Sequence, residues 1–396
     1  MKAYEKYKNS GISWLGKIPE HWKTIKFKRM HNGSNVGEAI GKNFWSDDTN
    51  DSVFYTAQIL PIRTNYNGFP KWKYTQHNDL LLARNGTPYV YLPVEGAIYT
   101  DHIIRVSIID RFNRKFVRYC LQNSIKIEKA EGVIIPTWSV YIWDKQILPL
   151  PPLAEQEAIV KLLNYEVSRI GKLILIRKRQ IVNLNELKKA VINKVVTKGD
   201  WKRVRLKRLF KIFSGATPKS NNPQYWDGNI IWITPADFQT EDKYIYHGTK
   251  NITEAGFNAC STSLVPSGSI IFSKRAPVGK VAINKIALCT NQGCLSCVPL
   301  ENVSSEFFYY VISILQEEFE KEAGGTTFKE ISLTAFANFL LPVPPIAEQN
   351  ETAKYLDKKC GQIDKLITIR EKQITELNEL KARLISDAVT GKIDVR

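Results

Sequence analysis

Residues 151–197 recur at 344–390, with a constant offset of 193 and no gap across 47 positions. Pro151-Pro-Leu-Ala-Glu-Gln156 returns as Pro344-Pro-Ile-Ala-Glu-Gln349, Leu184-Asn-Glu-Leu-Lys188 as Leu377-Asn-Glu-Leu-Lys381, and Val196-Thr197 as Val389-Thr390. Of the 47 aligned pairs 23 are identical, against about three expected by chance at average composition. Self-similarity at a fixed offset restricts the fold to architectures that use one supersecondary unit twice.

Each copy reads as a long helix. Pro-Pro sets an extended entry, and Ala-Glu-Gln opens the helix with an acid in its first turn. Leu163, Val167, Ile170, Ile174, Ile181, Leu184, Val191 and Val195 follow at three- and four-residue steps. Leu356, Cys360, Ile363, Ile367, Ile374, Leu377, Leu384 and Ala388 repeat them. A second apolar line, Leu173, Ile176 and Leu187, widens the stripe. The pattern stops at Thr197-Lys-Gly199 and Thr390-Gly-Lys392, where glycine is the expected terminator. Each helix is then ~45 residues, or roughly 67 Å. Length without internal breakers suggests coiled coil. Two arrangements fit, an antiparallel pair or two separate amphipathic helices on two domains, and the pair is the simpler.

The repeat continues upstream of the helices in outline. Trp22-Lys-Thr-Ile-Lys-Phe-Lys-Arg29 resembles Trp201-Lys-Arg-Val-Arg-Leu-Lys-Arg208, and each opens a module of about 140 residues rich in short strand signals. Leu80-Leu-Leu-Ala-Arg-Asn-Gly86 sits where Ile270-Ile-Phe-Ser-Lys-Arg-Ala276 sits later, and Tyr99-Thr-Asp-His102 parallels Cys289-Thr-Asn-Gln292. The modules share a plan and differ at their polar tips. The expected division is a module at 1–150, a helix at 151–198, a module at 199–343 and a helix at 344–396. The expected fold class is α+β, two α/β modules joined by an antiparallel pair of long helices in a pseudo-twofold repeat.

The net charge is +17 and the pI about 9.4. A polyanion partner is indicated, nucleic acid first; the plainer reading is a basic soluble protein. The helical copies carry only +5 (153–197) and +1 (346–396) of that charge, so most of it lies in the modules. No apolar run reaches the ~18 residues of a membrane span, and the first residues open no signal-peptide apolar region. A cytoplasmic location without membrane contact is the expectation. Six cysteines in 396 residues are too sparse for a disulfide framework. Cys294-Leu-Ser-Cys297 has Cys289 upstream but no second ligand pair nearby, so a half-buried strand is preferred to a metal site.

Four classes of nucleic-acid chemistry leave no signature. Asn222-Pro-Gln-Tyr225 has Gln where an amino-methyltransferase turn has its second Pro, and no Gly-rich loop precedes it. Gly37-Glu-Ala-Ile-Gly41-Lys42 is one residue short of a phosphate loop, and Asn43 replaces Ser or Thr. His21, His31, His77, His102 and His247 make no paired-ligand spacing. Acids for a two-metal site do not cluster. A subunit without catalysis of its own is expected. A stand-alone repressor-like binder, or an enzyme with an unrecognised motif, stays open.

The chain resembles the specificity subunit of a Type I restriction–modification system. The matching stretches are Ser10-Gly-Ile-Ser-Trp-Leu-Gly-Lys-Ile-Pro-Glu-His-Trp22, Ser214-Gly-Ala-Thr-Pro218, Tyr225-Trp-Asp-Gly228 and Trp232-Ile-Thr-Pro235. Ser273-Lys-Arg-Ala-Pro-Val-Gly-Lys280, Thr290-Asn-Gln-Gly293, Gly325-Thr-Thr-Phe-Lys-Glu330 and both Pro-Pro-x-Ala-Glu-Gln junctions complete the set. The first module departs most, with Ile135-Pro-Thr-Trp138 near the position of the Thr-Thr-Phe-Lys turn and no Arg-Ala-Pro. The resemblance implies two target-recognition domains, each reading half of a split site in double-stranded DNA. It implies helices that dock two methyltransferase subunits, which join restriction/translocase subunits. S-adenosylmethionine, ATP and magnesium would then belong to the partners.

Base reading needs side chains with paired donors or acceptors. Arg84, Asn85, Asp101 and His102 are the candidates in the first module, and Lys274, Arg275, Asn291 and Gln292 in the second. Lys280 and Lys329, on Gly-flanked turns, suit phosphate contacts. The alternative for each is a structural turn whose side chain caps backbone.

Overall fold

The computed structural model describes residues 2–125, 137–238, 242–324 and 329–396. They form two compact units, residues 1–177 with 372–396, and residues 178–371.

Unit 1 contains β1 (His31–Val36), β2 (Trp45–Ser46), β3 (Ser52–Tyr55), β4 (Ile62–Thr64), β5 (Asp79–Ala83), β6 (Val90–Tyr91), β7 (Ile98–Tyr99), β8 (Ile103–Ile108), α1 (Arg114–Ser124) and the start of α2 (Leu153–Val196). The strands form two sheets, ordered β1-β8-β5-β6 and β7-β3-β4-β2. Asp79-Leu-Leu-Leu-Ala83 is buried along its whole length, because β5 lies between the cores of the two sheets. Leu80 and Leu82 face one core, Leu81 and Ala83 the other, as period-two alternation requires.

Unit 2 contains the end of α2, then β9 (Phe210–Ser214), β10 (Trp226–Ile233), β11 (Tyr244–Ile245), β12 (Lys250–Ile252), β13 (Ile270–Ser273), β14 (Val281–Asn284), β15 (Cys289–Thr290), β16 (Cys294–Pro299), α3 (Ser305–Ser313) and the start of α4 (Ile346–Val389). Its main sheet runs β9-β16-β13-β14-β11 and its second β12-β10-β15. The first four strands of the main sheet repeat the order of unit 1. In both second sheets one short strand pairs in parallel, β7 with β3 and β15 with β10. The structural duplication therefore reaches well beyond the residues whose identity reveals it.

Gly37 and Gly215 mark the same crossing in each unit. A Cβ on Gly37 would lie 2.0 Å from the Tyr99 carbonyl oxygen, and one on Gly215 2.1 Å from that of Thr290. Only glycine lets the main-sheet strand pass so close to the parallel strand.

Both long helices are 44 residues, about 66 Å each at 1.5 Å per residue. They pack antiparallel in each unit. In unit 1 Leu163 and Ile170, from early α2, share a core with Leu384, Ala388 and Val389, from late α4. In unit 2 Ile192 and Val196 share a core with Ala353, Leu356 and Cys360. Lys188 Nζ also donates to Asp364 Oδ1 at 2.7 Å. Gly391, at φ +75°, ends α4 in a Schellman turn: Lys392 N bonds to Asp387 O and Gly391 N to Ala388 O.

The repeated junction has a physical role. Gln156 Oε1 accepts from the backbone N of Asn113, the N-cap of α1, while its Nε2 donates to Pro151 O. Gln349 does the same with Ser304, the N-cap of α3, and with Pro344 O. Each Gln ties the start of a long helix to its module.

Two expectations change in detail. Leu173, Ile176 and Leu187 do not widen the buried stripe; they stay about half exposed on its flank, as do Leu366, Ile369 and Leu380. Cys294 and Cys297 are fully buried, in different cores on opposite faces of β16, so they do not converge as ligands. Among the described residues no helix is long and apolar enough to cross a membrane.

Candidate nucleic-acid interface

In each unit the end of β5 or β13 meets the turn that leads into β8 or β16. In unit 1 Arg84 N donates to His102 O at 2.8 Å, and Arg84 Nη1 reaches Asp101 O at 3.3 Å. Asn85 Nδ2 donates to His102 Nδ1 at 2.8 Å. The amide nitrogen only donates, so Nδ1 accepts in this contact. Thr100 Oγ1 donates to Asp101 Oδ1 at 2.7 Å. Trp138 closes the corner: its N donates to Arg84 O at 2.6 Å and its Nε1 to Gly86 O at 2.8 Å.

Unit 2 rebuilds this corner with different side chains. Lys274 N donates to Gly293 O at 2.9 Å, and Ile331 N to Lys274 O at 3.0 Å. Arg275 bridges to Glu330 as Asn85 bridges to Thr137. Glu330 accepts from Lys274 Nζ at 2.9 Å and from Arg275 Nε at 2.7 Å. Partial burial pushes the Glu330 carboxyl up, but the hydrogen bonds from Lys274 and Arg275 outweigh it and hold the pKa below the usual carboxylate range. Thr217 Oγ1 donates to Gln292 Oε1, and Asn291 Oδ1 caps the turn through Gly293 N at 2.9 Å.

Eight of the ten candidates thus gather as two equivalent corners. Arg84, His102, Arg275 and Gln292 are exposed; Asn85, Asp101, Lys274 and Asn291 are half-buried. Backbone hydrogen bonds hold the turns, and Arg84, His102, Arg275 and Gln292 keep part of their side chains at the surface. Structural turn and polar surface are the same residues here, so the two readings do not exclude each other. Lys280 lies elsewhere: it lines a cleft of ≈540 Å³ in unit 2, beside Asp357 and Asp364 of α4. Lys329 is exposed next to Glu330. Residues 325–328 of the Gly-Thr-Thr-Phe stretch, and 135–136 of Ile135-Pro-Thr-Trp138, fall outside the described residues.

Glu330, Thr217 and Trp138 were missed as site residues. Glu330 carried a signal, since an acid ending a short motif is a natural partner for an adjacent Lys-Arg pair. Thr217 and Trp138 carried none, because their roles depend on long-range closure of the corner.

Residues 198–379 match the family model of the Type I restriction modification DNA specificity domain. That match takes in the second module and most of α4. It is 34% identical over 205 residues to the Type I restriction enzyme MjaIX specificity subunit of Methanocaldococcus jannaschii, a match spanning 51% of this chain and 46% of that protein. The chain thus spans about half the length of that relative. The MjaVIII specificity subunit of the same organism is 26% identical, over 81% of this chain and 80% of its own. A chain solved in a study of assembly and conformational transition of the type I R-M system superposes with TM-score 0.74 at 18% identity, covering 95% of this chain and 99% of its own. The fold of two α/β modules and two long helices is shared with that chain.

Proposed function

We propose that the chain reads a split site in double-stranded DNA, one half per module, and performs no catalysis itself. The carrying observation is the pair of corners. The same backbone frame presents Arg84, Asn85, Asp101 and His102 in unit 1, and Lys274, Arg275, Asn291 and Gln292 in unit 2. A frame kept constant while its donors and acceptors change suits two half-sites of different sequence. Lys280 and Lys329 are proposed to contact phosphate, which positions without specifying. The net charge of +17 supplies the attraction common to all sequences.

The helices are proposed to set the half-site spacing and to dock two methyltransferase subunits, which recruit restriction/translocase subunits. S-adenosylmethionine, ATP and magnesium act on those partners. Half-sites on one face of B-DNA lie about 34 Å apart per 10 bp, within the length of either helix. Methylation mapping in a host that carries this chain with its methyltransferase subunit tests the reading. A methylated bipartite motif that disappears without this chain is the expected result. Methylation independent of the chain would overturn it.

A further inference from the structure

Unit 2 has an open groove of ≈970 Å³ at the end of α2, lined by Val196, Thr197, Trp201, Asn338 and Leu340, with Arg203, Glu318 and Glu322 as its charged lining. The duplication places the corresponding surface of unit 1 at Val389, Thr390, Trp22, Lys145 and Ile147. There the chain's own residues 2–20 cover the part around Trp22, Ile147 and Val389, while Lys145 stays exposed. Trp14 Nε1 donates to Ile147 O at 3.2 Å, the position of Leu340, and Tyr7 OH donates to Gly391 O at 3.1 Å. Leu15 and Ile18 are buried in one core with Trp22, Ala388 and Val389. In unit 2 the stretch between Thr197 and Trp201 is only Lys198-Gly-Asp200, too short to supply such a cover. Leu340 is accordingly 51% exposed.

We propose that this groove receives an extended peptide segment of a partner protein, with the chemistry of residues 2–20. That chemistry is a Trp-Leu pair and an Ile-Pro on a basic strand. The cover of unit 1 carries four Lys and two Glu, and the unit 2 groove is lined by Glu318 and Glu322 against the single Arg203, so the net charges are opposite. The indole fills the apolar floor and donates to the Leu340 carbonyl; the isoleucine packs beside Val196 and Trp201. The occupant comes from a partner, not a second copy, because residues 2–20 are already buried against their own unit. The proposal does not depend on DNA recognition.

A fluorescein-labelled synthetic peptide of residues 2–20, titrated into the full chain with anisotropy as readout, tests it. Saturable binding of one peptide per chain is expected. It should weaken about tenfold or more with Trp14→Ala in the peptide, the usual effect of removing an aromatic anchor. Asn338→Trp and Leu340→Asp in the chain should do the same; both side chains are exposed, and circular dichroism verifies that the variants fold. Absence of saturable binding overturns the proposal. Binding that survives both groove variants also overturns it, since the peptide would then be exchanging into unit 1. A dimer of the chain alone that Leu340→Asp dissolves would assign the groove to a second copy and overturn the partner assignment.

Discussion

The Asn85 amide donates to His102 Nδ1 across 2.8 Å, so two side chains seventeen residues apart present one composite edge. The bond holds each side chain against the other. Asn85→Ala and His102→Ala should therefore relax the same base position of one half-site. The expected loss is about 1–3 kcal/mol of discrimination, the usual worth of a good base contact. Binding to duplexes substituted at single positions checks this. Loss spread evenly over both half-sites would count against a reading role.

Glu330 neutralises part of the charge that Lys274 and Arg275 bring to the second corner. Glu330→Gln should release both cations. Affinity for non-cognate duplex should rise, and the preference for cognate sequence should fall. The dependence of binding on salt should steepen, because one more positive charge is available to phosphate. A salt titration with cognate and non-cognate DNA reads both effects.

The duplicated helices were legible because helical periodicity and identity are local signals. The corners were legible because Arg84-Asn85 and Lys274-Arg275 sit at corresponding points of the repeat. What was not legible depended on closure over distance. Glu330 reaches Arg275 across 55 residues, and Trp138 reaches Gly86 across 52. No pattern within either stretch announces that pairing. The flanking line Leu173, Ile176 and Leu187 misled because periodicity reports which residues share a face, not what covers that face.

Glu155 is buried at the start of α2 and accepts from Trp22 Nε1 at 2.9 Å, Tyr4 OH at 2.8 Å and His21 Nε2 at 2.7 Å. Burial raises its pKa, but these hydrogen bonds outweigh burial and hold the carboxyl below its ordinary value. A depressed folded-state pKa stabilises above the unfolded value, about 4.3, and that stability is lost as pH falls through the lower folded value. Wild type should show this acid-side loss in thermal melts, and Glu155→Gln should show a smaller one, since Glu330 remains. Glu155→Ala leaves the buried Trp22 indole without an acceptor and should cost about 1–3 kcal/mol at neutral pH. Glu348, the repeat counterpart, is exposed, so Glu348→Ala should leave the melt within about 0.5 kcal/mol of wild type.

Leu173 and Ile176 on α2 match Leu366 and Ile369 on α4 in the repeat, and all four are 43–50% exposed. Large apolar side chains kept at equivalent exposed positions in both copies suit two docking sites for the same kind of partner. Replacing Leu173 and Ile176 with Asp should weaken one site, and replacing Leu366 and Ile369 the other. Buried charge at an interface costs several kcal/mol, so under the proposed docking of two methyltransferase subunits each double variant should retain only one. The melting temperature of the isolated chain should barely move, because these side chains contribute little to its cores. Mass measurement of the co-purified complex separates the outcomes. Two retained subunits in both variants would place docking on another surface. Loss of both subunits in either variant would mean that the two sites are occupied only together.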